Sequence, residues 1–183
     1  MKYFTKELWR SSQGSANRNS HLDWQQAFER YAIQLKSLES RLSSDAYRFF
    51  AEADVHDGEL MELTLKDASR PAPLSEPSRP WQSPETSPVQ VRLTVLDGMD
   101  KLVWTLSYAT VRRTMVEYPG ADPLFPGCAP GFGDWGYHEL TDAGGGFFRH
   151  EILFASGSVL LVEFKEIVVV CRERSSFAQS PPD

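Results

Sequence analysis

Cysteine is scarce in this chain, and the two present, Cys128 and Cys171, are too few and too irregularly spaced for a disulfide framework or a zinc site. Both are expected to be free thiols. Long hydrophobic runs are also missing. The most apolar stretch, around Ser158 to Phe164, falls far short of the roughly 20 residues a membrane-spanning helix requires. The opening M-K-Y-F-T-K-E-L-W-R places Lys6, Glu7 and Arg10 where a secretory signal would need an uninterrupted apolar core, so a cytoplasmic location is expected. The common signatures of catalysis are absent too: there is no G-x-G-x-x-G after a strand, no Walker sequence, no H-E-x-x-H, no G-x-S-x-G and no C-x-x-C. No cofactor and no metal is therefore expected. Excess positive charge is lacking as well. The formal net charge is −6, divided into about +3 through Phe50 and about −9 from Ala51 onward. Nucleic-acid binding rests on a basic face that displaces counterions, so a basic protein partner is the better expectation.

What remains is ample for one core. Of 183 residues, 41% are hydrophobic and 12% aromatic, within the range of a single globular domain. We expect one domain over residues 1–174, a Pro-rich insertion at about 68–88 with six prolines, and a disordered tail over 175–183.

Lys2 to Phe4 reads as a short strand, and Thr5 as the cap of a brief helix through Trp9. The run S-S-Q-G-S-A-N-R-N-S breaks that helix. Ser20 and Asp23 then resemble a capping box. Trp24, Phe28, Tyr31, Leu35, Leu38 and Leu42 follow at alternating spacings of four and three, which places them on one helical stripe. A second helix starts at Ser43 or Ser44, carries Tyr47, Phe50 and Ala51 inward, and ends before the turn V-H-D-G. Thereafter the period becomes two. Met61, Leu63 and Leu65 form a half-buried strand, and Val89 to Val95 pairs through D-G-M-D with a strand carrying Leu102, Trp104, Leu106 and Tyr108. D-W-G-Y-H-E-L reads as a helical turn. Phe148, His150, Ile152 and Phe154 share one face of a later strand, with Phe147, Arg149, Glu151 and Leu153 on the other. A tight turn over Ala155 to Ser158 returns the chain, and Ile167 to Cys171 is a continuation after a bulge or a further strand. These patterns predict an α+β fold, a curved antiparallel sheet of about five strands with the N-terminal helices packed against it.

Three His-acid dipeptides stand out: His56-Asp57, His138-Glu139 and His150-Glu151. Neighbours on a strand point to opposite faces, so His150 and Glu151 do not converge on one ligand. The structural reading, in which His150 is buried and bonded to protein, outweighs a catalytic one. His56 and Asp57 read as a helix-to-strand junction. The aromatic and acidic residues beside the Gly/Pro loop 119–133 make the better binding candidate: Phe132, Asp134, Trp135, Tyr137, His138 and Glu139. Against that stands the alternative that the aromatics roof the open end of the sheet.

The opening M-K-Y-F-T-K-E-L, the V-H-D-G-E junction, W-G-Y-H-E-L and F-R-H-E-I-L-F-A-S-G together resemble an uncharacterised bacterial family whose members begin M-[KR]-Y-F-T-K-E. The resemblance implies a small cytosolic bacterial protein and carries no established activity over to any residue. The strand ladder is also similar in style to small immunity proteins that neutralise bacterial toxins, an analogy of fold and charge. Three functions follow as expectations. The first is a noncatalytic, immunity-like binder of a basic partner. The second is a hydrolase-type enzyme using His138, His150 and nearby acids, which requires them to meet in a concave pocket. The third is a structural protein that self-associates through the apolar Ile167 to Cys171 edge.

Overall fold

The computed structural model describes residues 1–13, 18–67, 89–118, 124 and 131–177. The expected Pro-rich insertion at 68–88, most of the Gly/Pro loop, Cys128 and residues 178–183 lie outside them. The opening helix α1 (Lys6–Gln13) begins where Thr5 Oγ1 accepts the Leu8 amide at 3.2 Å. The long helix α2 (Arg18–Leu38) starts two residues before Ser20, ahead of the expected capping box, and a 3₁₀ turn (Glu39–Arg41) follows it. Helix α3 (Ser44–Glu52) is capped by Ser43, whose side chain accepts from Ala46 N. The α2 stripe is only partly inward. Tyr31, Leu35 and Leu38 are buried, whereas Phe28 is about half exposed.

Eight strands follow, not about five. They are β1 (Gly58–Asp67), β2 (Val89–Leu96), β3 (Leu102–Ala109), β4 (Arg113–Glu117), β5 (Asp134–Gly144), β6 (Phe147–Phe154), β7 (Val159–Phe164) and β8 (Glu166–Glu173). A short helix, α4 (Arg174–Phe177), occupies the start of the segment expected to be a disordered tail. Two of the strands, β4 and β5, were not visible in the sequence pattern. D-W-G-Y-H-E-L opens β5 rather than forming a helical turn, because a bulge between Trp135 and Tyr137 breaks the two-residue alternation by which a strand is recognised. Lys2 to Phe4 is not a strand either.

All neighbouring strands are antiparallel, in the order β4-β7-β6-β5-β1-β2-β3-β8. The two ends of that order are chemically continuous with its interior. Only Lys165 separates β7 from β8, and three residues separate β3 from β4. The chain pair β3/β4 therefore runs alongside β7/β8 through a bend, held by Arg112 N to Glu163 O at 2.9 Å and Lys165 N to Ala109 O at 3.3 Å. Glu163 clamps this corner. Its buried carboxylate accepts Arg112 Nε at 2.8 Å and Arg149 at 2.7 Å. Burial alone would raise its pKa, but the hydrogen bonds from Arg112 and Arg149 prevail and hold it below the usual range.

Opposite the corner the ring of pairing nearly closes and then stops. Strands β1 and β5 pair only at Gly58 with Trp135 and Glu59 with Asp134. The two antiparallel strands overlap only at their starts, so from Gly136 onward β5 lies beside the chain that precedes β1, and its edge there is satisfied by side chains instead of a strand. His56 Nδ1 donates to Gly136 O at 2.7 Å, and the Leu140 amide donates to the Tyr31 hydroxyl at 3.1 Å. One core unites both halves of the fold, with Phe49 and Phe50 of α3 packed among Leu93, Leu106, Ile152, Val162 and Phe164. Removing the Tyr31 hydroxyl orphans a buried amide, which costs about 1–3 kcal/mol. Tyr31→Phe is expected to lower the urea-unfolding free energy by that amount, and an unchanged midpoint would show that the bond contributes nothing.

Candidate functional site

The inward-facing polar groups come together at one place. The bulge at Gly136 puts Trp135 and His138 on the same side of β5 although they are three residues apart. Register then places His138 opposite Ile152, next to His150 on β6. His138 Nδ1 lies 3.0 Å from His150 Nε2, and His150 Nδ1 lies 2.7 Å from the Tyr108 hydroxyl on β3. Phe50 packs edge-on against His150 at 4.9 Å, Phe49 meets His138 at 5.3 Å, and Trp135 meets His138 at 5.5 Å between ring centroids.

Hydrogen positions follow from what each atom can satisfy. Burial pushes the Tyr108 phenol well above its ordinary pKa, so it remains a donor. If its O–H donates to His150 Nδ1, His150 carries its proton on Nε2 and donates to His138 Nδ1. The reverse direction would leave the buried phenol hydrogen without an acceptor. Both imidazoles are neutral. Burial lowers the His138 pKa from 6.5 to about 4, and burial together with neighbouring His138 holds His150 well below 6.5. His138 keeps a little exposed surface, yet the aromatic rings packed on it leave little solvent to stabilise a charge.

On the opposite face of the same two strands, two acids fasten the N-terminal segment. Glu139, fully buried, accepts the amides of Lys2, Tyr3 at 2.8 Å and Phe4 at 3.3 Å. The Met1 ammonium sits 2.8 Å from Glu151. Beside them Tyr137 lies beneath Phe4, Trp9, Trp24 and Phe28, with Trp24 nearest at 4.5 Å. Gly136 permits this roof, since a β-carbon there would fall 2.1 Å from the Trp9 ring.

The six residues expected to form a binding surface are thus dispersed. Trp135 and Glu139 are fully buried, on opposite faces of β5. His138 belongs to the internal chain, and Tyr137 to the half-buried aromatic roof. Phe132 packs on Phe154 at 4.9 Å, and Asp134 alone is exposed. The expectation that His150 is buried and protein-bonded agrees with its position. Tyr108 and Phe50 were missed as its partners, because only long-range pairing brings them within reach.

The chemistry open to this arrangement is limited. Among the described residues no group of three or more His, Cys, Asp or Glu is placed to hold a metal ion. A surface hollow of about 340 Å³ lies between Lys2, Tyr3 and the Arg30 to Ser37 side of α2, and another of about 810 Å³ lies beside the β2–β3 turn. Neither includes Tyr108, His138 or His150. No helix among the described residues is long and apolar enough to cross a membrane. No family model, curated protein or solved structure matches the chain.

A base whose folded pKa is depressed makes the fold lose stability as pH falls. Above about pH 6.5 neither state binds a proton at these rings. Between about 6.5 and 4 the unfolded chain binds a proton that folded His138 refuses, a loss approaching 1.4 kcal/mol per pH unit, and His150, held well below 6.5, adds a loss of the same sign. Chemical unfolding at pH 5 and pH 7.5 should show the lower stability at pH 5, and equal stability would contradict neutral buried rings. Separately, Glu139→Ala orphans buried amides and is expected to cost about 3 kcal/mol in the same measurement.

Proposed function

We propose that the protein is a noncatalytic, cytoplasmic binding protein for a basic protein partner, of the immunity-like kind. The observation that carries this reading is that the groups able to do acid–base work are already committed internally. Tyr108, His150 and His138 bond to one another under Phe49, Phe50 and Trp135, and Glu139 is saturated by backbone amides. General catalysis needs such groups within hydrogen-bond reach of a substrate. The hydrolase alternative gains one point from the meeting of His138 with His150, but it needs a concavity at that meeting point.

The charge of the partner is argued from the surface. Glu52, Asp54, Asp57, Glu59 and Asp134 are all exposed around the start of β1. Glu59 and Asp134 stand directly opposite each other in register, where like charges repel. A cationic surface laid there would relieve that repulsion and would be drawn in by the net charge of −6.

The test is capture of a partner on the purified protein, followed by reconstitution with that partner in purified form. Changing Glu59 and Asp134 together to lysine should raise Kd at least tenfold, and added salt should weaken wild-type binding. A partner indifferent to both changes, or turnover of a substrate that depends on His138, would overturn the reading.

A further inference from the structure

We propose that the open edge of β1 is a self-complementary surface on which a second copy of this chain adds, joining two sheets across a twofold axis. This goes beyond the binding function and does not depend on it.

β1 and β5 overlap only at their first two residues and run in opposite directions from there, so β5 does not flank β1 beyond Glu59. From Leu60 to Lys66, β1 pairs with β2 on one side only among the described residues. Which backbone groups face outward can be worked out from the register. Asp97 N donates to Leu102 O at 2.9 Å at the β2–β3 turn, so every second pair from there, Val95 with Trp104, Leu93 with Leu106 and Val91 with Tyr108, exchanges hydrogen bonds. Arg92 and Thr94 then face β1, and their partners Thr64 and Glu62 face back toward them. The amide and carbonyl groups of Leu63 and Leu65 are left pointing off the sheet, and the Leu65 side chain is 61% exposed.

The occupant follows from the sequence of the strand. Antiparallel twofold pairing centred on Thr64 sets Leu63 opposite Leu65 of the second copy, so the free backbone groups of these residues exchange hydrogen bonds on both sides of the axis. The same register sets Glu62 opposite Lys66 of the second copy, twice, and Thr64 opposite itself. Opposite charges and paired apolar side chains across a ladder are favourable. Shifting the register by one pair in either direction removes both Glu62–Lys66 contacts, so charge selects this alignment. An edge lysine ordinarily discourages such pairing, but here Glu62 stands where it would be neutralised. The two strands that end the sheet order, β4 and β8, are less suited. Helix α3 packs against β8, where the sequence pattern had placed a self-association edge, and β4 is only five residues long.

The experiment is sedimentation of the full chain over a concentration series, with circular dichroism of each variant to confirm folding. Wild type should pass from monomer to dimer and no further, as a closed twofold contact requires. Lys66→Glu and Glu62→Lys should each raise the dimer dissociation constant at least tenfold. The double swap Glu62→Lys/Lys66→Glu should restore it, and mixing the two single variants should yield a heterodimer. A wild type that stays monomeric to high concentration, a dimer indifferent to the single changes, or larger assemblies would each overturn the proposal. None of these readouts needs the basic partner, so failure here leaves the binding reading standing, and the reverse.

Discussion

The brief overlap of β1 and β5 is the constraint from which the rest of the structure follows. A sheet that nearly closes on itself and then opens must satisfy two strand edges and fill the gap between them. The protein treats its two edges differently. On β5 the backbone is served by side chains from elsewhere, the His56 ring and the Tyr31 hydroxyl, and α2 packs beside it. On β1 nothing comparable is present among the described residues. The helices fill the interior, and α3 carries Phe49 and Phe50 to the point where β5 and β6 present their histidines.

That arrangement explains why polar side chains in the core do not make a reactive centre. A histidine buried beside aromatic rings has lost the water that would stabilise its charged form, so neutrality is the cheaper state. Tyr108, His150 and His138 then satisfy each other in a chain, with each buried acceptor matched to a donor. The corner at Glu163 solves the opposite problem. There a buried carboxylate stays charged because two guanidinium groups converge on it. Neutral polar groups line the centre of the fold, while the buried ion pairs lie at its margin, where the arginines still reach solvent.

Much of the fold was legible in the sequence and part was not, for identifiable reasons. The position of helix α3, the hairpin β2–β3 and the faces of β6 follow from local periodicity, although α3 turns Ala46, Phe49 and Phe50 inward and leaves Ala51, expected on that face, exposed. Strand β5 was hidden by its bulge, since the extra residue at Gly136 shifts Trp135 and His138 onto one side. Strand β4, R-T-M-V-E, is short and carries little apolar alternation. The candidate surface failed for a related reason. Trp135 and Glu139 look like exposed anchors when placed on a turn, but on a strand between two packed layers they are core and clasp. The meeting of His138 with His150 was written in no local motif, because it depends on strand register and on Tyr108 from 42 residues away.

Backbone amide hydrogen exchange, measured by NMR with self-pairing suppressed by Lys66→Glu, tests most directly whether β5 is closed and β1 open. The account predicts slow exchange at Leu140 and Thr64, and exchange at Leu63 and Leu65 faster by orders of magnitude. Uniform protection along β1, or a Leu140 amide that exchanges freely, would contradict it.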